Sequence, residues 1–299
     1  MRDITKARLQ MSKTHLKNLI TRNATVKAAA TYLHYGRETL GRHVLRPDPT
    51  ATGPLLFTIE KCASTYISKA LALIEARYGQ YRVYNYAGHY WNTGELDVYA
   101  AIQRDASRIF SMKNAMYGPL RRYVAASNMD NRRILLILRD PRDVLVSMYY
   151  SVGYSHALPG GRKSRAQYEA RRREARAMTI DEYVEHELPI IRSTYKEYAE
   201  HLLGKPNVTF LTYEQLINAP STWAAAFIEA LGLEPRQSVV DELTGIYEHG
   251  LPKGDGDRKM EHRRSGKAGQ YAQALKAETI AFIDQAMNLD LARFGVWEL

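Results

Sequence analysis

FTIEKCASTY at Phe57–Tyr66 and LILRDPRDVLVS at Leu136–Ser147 carry the strongest indications of the fold. Each begins as an apolar run typical of a buried strand, passes through a charged turn and continues with helical spacing. In the second stretch, Asp140 is a typical helix N-cap, and the following Pro141 suits the first helical position. Strand–turn–helix units of this kind predict a parallel sheet covered by helices.

Similar patterns recur along the chain. The strands are predicted at Leu55–Ile59, Arg82–Tyr86, Arg108–Met112, Arg133–Leu138 and Val208–Thr212. Helices are predicted at Ile67–Tyr78, which Gly79 ends, and at Pro220–Leu231, Val239–Tyr247 and Glu278–Met287. We therefore expect an α/β fold with a central, mostly parallel five-stranded sheet and helices on both faces.

The 299-residue chain is expected to consist of a basic N-terminal extension and one large domain. Apolar positions in residues 12–45 follow helical spacing, so residues 1–50 are interpreted as a helical extension. Residues 51–299 form the domain, with a polar, arginine-rich insertion at 155–177 that we interpret as a loop followed by a charged helix, a candidate lid.

The net charge of +10 is concentrated in two segments. Residues 1–50 hold ten Lys/Arg against three Asp/Glu, and residues 162–176 hold seven against two. Such segments are typical either of solvated helices or of proteins that bind polyanions. A nucleic-acid binder would be expected to spread its charge over one folded face, so nucleic acid is the less favoured partner.

Several classes of protein receive no support from the sequence. It contains no run of 18 apolar residues, and its N-terminus lacks the apolar core and cleavage site of a signal peptide. Cys62 is the only cysteine, so no intrachain disulfide can form. Cysteine and histidine show no zinc spacing, and no metal is expected. We expect a cytoplasmic protein.

The two turns within these stretches offer groups that bind phosphate. The first contains Lys61, Ser64 and Thr65 at the start of a helix, where unpaired backbone N–H groups attract anions. The second contains Arg139 and, further along its helix, Ser147. Ligands of such folds bind at the carboxyl ends of the strands, where both turns lie. The pair predicts a ligand with two separate phosphates, although the GxxxxGK[ST] loop of nucleoside triphosphatases is absent.

These motifs resemble those of sulfotransferases that use 3′-phosphoadenosine 5′-phosphosulfate (PAPS). KCASTY resembles their 5′-phosphosulfate loop, commonly KSGTTW, and RDPRDVLVS resembles their 3′-phosphate motif. RSGKAGQY at Arg264–Tyr271 is similar to their RKGxxGDW loop. TYEQLINAP at Thr212–Pro220 and ARFGVW at Ala292–Trp297 also resemble family segments. The resemblance covers roughly residues 54–299 and implies a P-loop-like sulfotransferase fold.

The resemblance also implies roles for individual residues. Lys61 would stabilise the leaving phosphate, and the donor PAPS, whose product is 3′-phosphoadenosine 5′-phosphate (PAP), would be bound by a larger set. Its members are Lys61, Cys62, Ala63, Ser64, Thr65, Tyr66, Arg139, Ser147, Tyr213, Arg264, Ser265, Gly266 and Lys267. Within that set, Arg139 and Ser147 match the residues that hold the 3′-phosphate. Tyr66 stands where the family has tryptophan and would stack on the adenine.

The catalytic base is the point where the sequence departs from the family. Lys113 resembles a second lysine of the cytosolic branch, but Ala115 occupies the position of the histidine that follows it there. In other branches of the family, a glutamate after the second strand serves as the base. His89 lies in the corresponding loop here, and we expect it to be the base, with Glu95 and His156 as the next candidates.

The acceptor pocket is expected to draw on residues 86–96, 114–120 and 150–177. Its aromatic candidates are Tyr86, Tyr90, Trp91, Tyr149, Tyr150 and Tyr154. The aromatic residues and the basic insertion favour an aromatic or anionic acceptor, with a carbohydrate and a phenol as the two candidates.

Two other functions fit parts of the sequence. A kinase-like transferase would require Mg²⁺ and ATP, and a non-catalytic nucleotide- or nucleic-acid-binding protein would explain Ala115 and the basic segments. A homodimer is compatible with either function.

Overall fold

The computed structural model describes residues 30–43, 47–156, 158–159, 162–249 and 267–297 and confirms the predicted α/β fold. Its sheet consists of β1 (Leu55–Thr58), β2 (Arg82–Tyr84), β3 (Ala115–Leu120), β4 (Ile134–Leu138) and β5 (Val208–Thr212). The strand order is β2-β3-β1-β4-β5, and all neighbouring pairs are parallel.

Helices connect the strands. They are α1 (Gly36–Gly41), α2 (Ser64–Tyr78), α3 (Tyr86–Thr93), α4 (Val98–Ile109), α5 (Pro141–Tyr150), α6 (Arg162–Ala177), α7 (Ile180–His201), α8 (Tyr213–Asn218), α9 (Pro220–Ala230), α10 (Gln237–His249), α11 (Tyr271–Ala274) and α12 (Ala277–Ala292). None of the helices in the part of the chain that the structure describes is long and apolar enough to cross a membrane.

The three inner strands form the centre of the core. Every residue of β1, β3 and β4 is buried, which requires packed side chains on both faces of the sheet. Leu55 of β1 pairs with Tyr117 of β3 on one side and with Ile134 of β4 on the other. The carboxyl ends of these three strands therefore meet at one edge of the sheet.

The predicted third strand at Arg108–Met112 is wrong. Helix α4 extends to Ile109, and the strand is Ala115–Leu120 instead. The sequence pattern is misleading because Gly118-Pro119 is typical of a turn. In the structure, β3 approaches β1 so closely at Gly118 that a Cβ there would lie 2.8 Å from the Leu56 Cβ. Glycine is therefore needed inside this strand.

The second strand is shorter than predicted because a helix begins directly after it. The Asn85 side chain accepts a hydrogen bond from the Gly88 backbone N–H at 2.8 Å and caps α3. The predicted strand residue Tyr86 is consequently the first residue of that helix.

The described end of the predicted N-terminal extension is helical and packs on the body through polar contacts. Residues 30–34 and α1 are helical, whereas the predicted helical residues 12–29 and 44–45 lie outside the described part. Glu38 of α1 accepts a hydrogen bond from the Asn85 backbone N–H at 2.7 Å. Arg42 forms an ion pair with Asp105 at 3.5 Å.

The insertion contains the predicted charged helix, and two of its arginines have a structural role. Arg172 and Arg176 of α6 donate to the backbone carbonyls of Val152 at 3.1 Å and Gly153 at 2.6 Å. Both carbonyls belong to the helical turn Ser151–Ser155 that follows α5. Part of the positive charge of the insertion therefore caps a helix end, where cations are favoured.

Candidate active site

The loop between β1 and α2 has the shape of an anion-binding turn. Lys61 and Ala63 adopt positive φ angles of 63° and 51°, an uncommon conformation for residues other than glycine. The chain then enters α2 at Ser64, and this 15-residue helix directs its first backbone N–H groups toward the loop. Such a helix start binds anionic groups.

Lys61 lies in an environment that disfavours its charge. Burial, followed by the neighbouring charges of Arg121 and Arg139, lowers the pKa of its ammonium group to about 8. A cation held near two other cations is stabilised when an anion binds between them. The loop is therefore prepared electrostatically for a negatively charged ligand.

Arg139, at the end of β4, connects three segments of the site. Its Nη1 donates to the Lys61 carbonyl at 3.2 Å, and its Nη2 donates to Asp143 Oδ2 at 3.1 Å and to the Lys267 carbonyl at 3.0 Å. The guanidinium carbon lies 4.4 Å from the centre of the Tyr213 ring. Its Nε is buried and has no hydrogen-bond partner within the described residues.

Arg121 is a second arginine of the site, and the sequence-based interpretation did not include it. It follows β3 directly, and its Nη2 lies 3.5 Å from the Ser64 hydroxyl. Its backbone N–H donates to the Tyr99 hydroxyl at 2.6 Å, and its buried Nε lacks a partner in the described part of the chain. The sequence feature that could have identified this residue is the Arg121-Arg122 pair after the run AMYGPL. This run was not recognised as a strand because it contains Gly118-Pro119, which is typical of a turn.

The C-terminal loop is attached to the same place. The buried carboxylate of Asp143 accepts hydrogen bonds from the backbone N–H groups of Gly269 at 2.9 Å and Tyr271 at 3.1 Å. These hydrogen bonds hold the loop so that Lys267 lies next to Arg139. The other three predicted residues of the loop, Arg264, Ser265 and Gly266, lie outside the residues that the structure describes.

The remaining predicted donor-binding residues differ in exposure. Cys62 is fully buried, its thiol donates to the Ile137 carbonyl at 3.6 Å, and burial raises its pKa to about 12. The Tyr66 ring is also buried, with centroids 5.8 Å from Trp223 and 5.7 Å from Tyr247. Thr65 is exposed at the start of α2, and Ser147 is half-buried on α5. The Cys62 thiol therefore belongs to the core.

A cavity of about 560 Å³ opens beside Lys61 and Arg121. It is lined by Glu60, Lys61, Ser64, Ala87, Trp91, Leu96, Asp97, Val98, Tyr99, Arg121, Arg122, Met148, Ser151, Val152, His156, Gln167, Tyr168 and Arg171. The predicted segments 86–96 and 150–177 both contribute. The third predicted segment, 114–120, does not line the cavity, and the two arginines that follow it do.

Only one of the six predicted aromatic residues, Trp91, lines the cavity. Tyr86 and Tyr90 are buried in the core, and Tyr149 packs with Tyr150 and Tyr154. The other aromatic side chains of the cavity are Tyr99, His156 and Tyr168. The Tyr168 ring contacts two of these groups, with centroids 5.8 Å from Trp91 and 5.1 Å from His156.

His89 does not reach the cavity, which corrects the predicted position of the base. Its imidazole is 1% exposed, and its Nε2 lies 3.1 Å from the Thr39 hydroxyl of α1. Burial lowers its pKa to about 4. Ala87 and Trp91 of the same helix face the cavity, so His89 lies on another face. Glu95 is not among the lining residues and lies 3.9 Å from Arg104, whereas His156 lines the cavity.

Lys113 lies at the wrong edge of the sheet for catalysis. It precedes β3 instead of following a strand, so it is near the amino ends of the strands. Its side chain is 81% exposed and lies 3.5 Å from Asp48. Ala115, two residues later, is buried at the start of β3. The error follows from the misplaced third strand.

The parallel sheet, with an anion-binding turn at its carboxyl edge, places the chain among the P-loop-like α/β proteins. Residues 56–295 match the Sulfotransferase domain family, and the chain therefore belongs to this family. No curated protein shows significant sequence similarity to the chain.

A solved structure of a sulfotransferase shares this fold. A mouse sulfotransferase complexed with PAP is 14% identical with a TM-score of 0.54, and the match covers 82% of this chain and 85% of that one. A retinol dehydratase in complex with androsterone and the inactive cofactor PAP is 17% identical with a TM-score of 0.48, over 86% and 85% of the two chains. At such identities the similarity concerns the fold.

Proposed function

We propose that the protein transfers a sulfuryl group from PAPS to a hydroxyl or amine of an acceptor bound in the cavity. The observation that carries the proposal is the convergence of three cations at one edge of the sheet. Lys61, Arg121 and Arg139 follow the neighbouring strands β1, β3 and β4, and Arg139 donates directly to the Lys61 carbonyl at 3.2 Å. A ligand that carries an acidic group at each of its two ends suits this arrangement.

The side chains fit such a ligand. Arg139 and Arg121 each keep a buried Nε without a partner among the residues described. An unmet buried donor costs on the order of 1–3 kcal/mol, and more when the group is charged. Phosphate and sulfate oxygens are the acceptors that a guanidinium prefers. Binding of a phosphate or sulfate group would therefore remove the free-energy cost of these unpaired Nε groups in the free protein.

Each end of PAPS is assigned to one turn. Lys61, Ser64, Thr65 and the backbone of Cys62 and Ala63 would hold the 5′-phosphosulfate at the start of α2. Arg139 and Ser147 would hold the 3′-phosphate, with Lys267 and, by family resemblance, Arg264, Ser265 and Gly266 closing over it. Tyr66 and Tyr213 would flank the adenine. Tyr213 lies beneath Arg139, which supports a place at this end of the ligand.

The side chains of the protein promote the transfer through electrostatic stabilisation. PAPS supplies the sulfuryl group, and the 5′-phosphate of PAP is the leaving group. Lys61 stabilises the negative charge that grows on the bridging oxygen. Arg121, beside Ser64, provides the second cation near the transferred group, the role predicted from sequence for Lys113. Positioned charges of this kind dominate catalysis of loose, in-line transfers.

The walls of the cavity favour an acceptor with a flat ring. Trp91 and Tyr168 provide aromatic surfaces, and Arg122 adds positive charge, whereas Arg171 is paired with Glu187 at 2.7 Å. An acidic acceptor would make its Michaelis constant rise with ionic strength, because salt screens the attraction. A neutral aromatic acceptor would not respond in this way.

Calorimetric titration with PAP tests the proposal. We expect the protein to bind PAP more tightly than adenosine 5′-phosphate, and Arg139→Ala to remove most of that difference. The absence of PAP binding by folded protein would refute the proposal. Preferential binding of ATP with Mg²⁺ would favour the kinase-like function.

A further inference from the structure

Glu60 is a carboxylate in an unusual position. It is half-buried, lines the cavity and directly precedes Lys61. In the part of the chain that the structure describes, its side chain makes no hydrogen bond and no ion pair within 4.0 Å. Charged groups in a partly buried site are usually paired. This unpaired carboxylate is therefore free to accept a hydrogen bond from a ligand.

The position of Glu60 follows from the sheet. Ile59 is fully buried after β1, and the chain then turns into the left-handed conformation at Lys61. Glu60 therefore leaves the sheet at its carboxyl edge, beside the residue assigned to the leaving oxygen. Its charge acts on Lys61 and on Arg171, and the Arg171 guanidinium also pairs with Glu187 at 2.7 Å.

The other acidic residue of the cavity is already used. Asp97 is the N-cap of α4, and its Oδ1 accepts a hydrogen bond from the Ala100 backbone N–H at 3.0 Å. His156 is the remaining group that can take a proton. Its ring packs against Tyr168 at 5.1 Å, and its backbone carbonyl accepts a hydrogen bond from Arg172. His156 thus belongs to the aromatic wall, and Glu60 to the loop that holds the donor.

We propose that Glu60 is the general base of the transfer, an inference that rests on the proposed function. The acceptor proton passes to a carboxylate oxygen of Glu60 while the acceptor oxygen forms its bond to sulfur. The bond between sulfur and the bridging oxygen breaks, and its electron pair remains on the 5′-phosphate beside Lys61. A base within reach of the acceptor typically contributes about 10²- to 10⁴-fold to the rate.

The experiment compares two phenols as acceptors with the wild-type protein, Glu60→Gln and Glu60→Asp. para-Nitrophenol is largely ionised in weakly alkaline buffer and needs no base, whereas para-cresol remains protonated. We expect Glu60→Gln to slow transfer to para-cresol by about 10²-fold or more and transfer to para-nitrophenol by only a few fold. Glu60→Asp should recover part of the para-cresol rate. Hydrolysis of PAPS by water, measured alongside, should slow in Glu60→Gln.

Three controls test whether Glu60 takes the acceptor proton or only supports the shape of the site. Glu278→Gln, an exposed change on α12, should leave all rates unchanged. PAP binding to Glu60→Gln should match the wild type, so that failure of the donor site is distinguished from failure of the base. His156→Asn tests the competing group. The proposal is overturned if Glu60→Gln slows both phenols equally, or leaves both rates and hydrolysis unchanged, or if only His156→Asn produces the selective loss.

Discussion

The Arg139 guanidinium donates to the Asp143 carboxylate at 3.1 Å, and the two side chains are only 4% and 0% exposed. The two residues are four positions apart along the chain, Arg139 before α5 and Asp143 in its first turn, yet the pair joins distant parts of the chain. Through Arg139 it reaches the Lys61 carbonyl, and through Asp143 it holds the backbone of Gly269 and Tyr271. One buried ion pair thus connects both loops of the proposed donor site.

Asp143→Asn should therefore weaken PAP binding without removing any group that is assigned to the ligand. The amide keeps the shape of the carboxylate but loses its charge and presents N–H groups toward backbone donors. Hydrogen bonds to charged groups contribute about 1.5–3 kcal/mol, so we expect a loss in PAP affinity of roughly 10-fold or more. Calorimetry measures this loss.

Hydrogen exchange gives an independent reading of the same variant. The amides of Gly269 and Tyr271 should exchange faster in Asp143→Asn, because the asparagine offers one uncharged oxygen in place of the two carboxylate oxygens that accept from them. Asp241→Asn on α10, where the carboxylate accepts a hydrogen bond from Gln237 of the same helix at 2.8 Å, is the matched control. Unchanged exchange and affinity in Asp143→Asn would show that the loop is held by other contacts.

PAP binding should be coupled to proton uptake by Lys61. The pKa of its ammonium group is lowered to about 8 in the free protein, so the group is partly deprotonated near that pH. An anion restores the charged form and raises the pKa, so binding takes up protons at about pH 8. Calorimetry in buffers of different ionisation enthalpy detects this uptake, which should vanish in Lys61→Arg.

The pH profile of transfer follows from the same pKa. Lys61 stabilises the leaving oxygen only when protonated, so kcat/KM for PAPS should fall as the pH rises above about 8. Lys61→Ala should nearly abolish transfer at all pH values. A wild-type profile that stays flat through this range would contradict the assigned role of the lysine.

Arg121 and Lys113 offer a direct comparison of structure with sequence. Arg121→Met removes a cation beside Ser64, and we expect turnover to fall roughly 10²-fold, as for the loss of one group that stabilises the transition state. Lys113→Met changes a side chain that is 81% exposed at the opposite edge and should have no effect. Steady-state kinetics of both variants show which of the two cations supports catalysis. A large loss of turnover in Lys113→Met alone would favour Lys113, as predicted from the sequence.

Arg132 should be important for stability. Its buried guanidinium donates to the carbonyls of Ser127 at 2.8 Å, Gly53 at 2.8 Å and Phe110 at 2.6 Å. Arg132→Met leaves these acceptors unpaired, and we expect the free energy of unfolding to fall by about 3–5 kcal/mol. Urea unfolding measures the loss. The neighbouring, exposed Arg133→Met should change stability by less than about 0.5 kcal/mol, and equal effects would contradict the assignment.

Ala63→Gly should stabilise the protein. Ala63 has a φ of 51°, a conformation that costs about 1–2 kcal/mol in residues with a Cβ, and glycine is also the better N-cap. After subtraction of the extra entropy of glycine in the unfolded chain, a gain of about 1 kcal/mol remains. Ala72→Gly, the same change at an exposed position within α2, should destabilise by about 1 kcal/mol. A loss of stability in Ala63→Gly would show that the loop does not need this conformation.

Much of the proposed donor site could be predicted from the sequence because its signals are local. A strand, a turn with small residues and a capped helix occupy consecutive positions, so Lys61 and Arg139 were identified from their own segments. The confirmed strands at 55–58 and 134–138 reflect the same property, since a run of apolar residues that ends at a charged turn has few alternatives.

The acceptor side was predicted less well because its signals are distributed. Because Gly118-Pro119 is typical of a turn, β3 was not recognised and the third strand was predicted too early in the chain. As a result, Lys113 was assigned to the site and Arg121 was not. His89 was misplaced for a different reason. A short helix exposes several faces, and only packing against Thr39 of α1 decides that its imidazole points away from the cavity.

Local patterns in the chain were sufficient to establish the α/β class, the two turns that carry Lys61 and Arg139, and the sulfotransferase family. Each of these depends on residues that are close along the chain. The packing of the folded chain was needed to bring Arg121 and Glu60 into one cavity with Tyr168, and to bind the C-terminal loop to Asp143. Those groups come from separate strands and helices, and their distances depend on how the sheet and its covering helices pack.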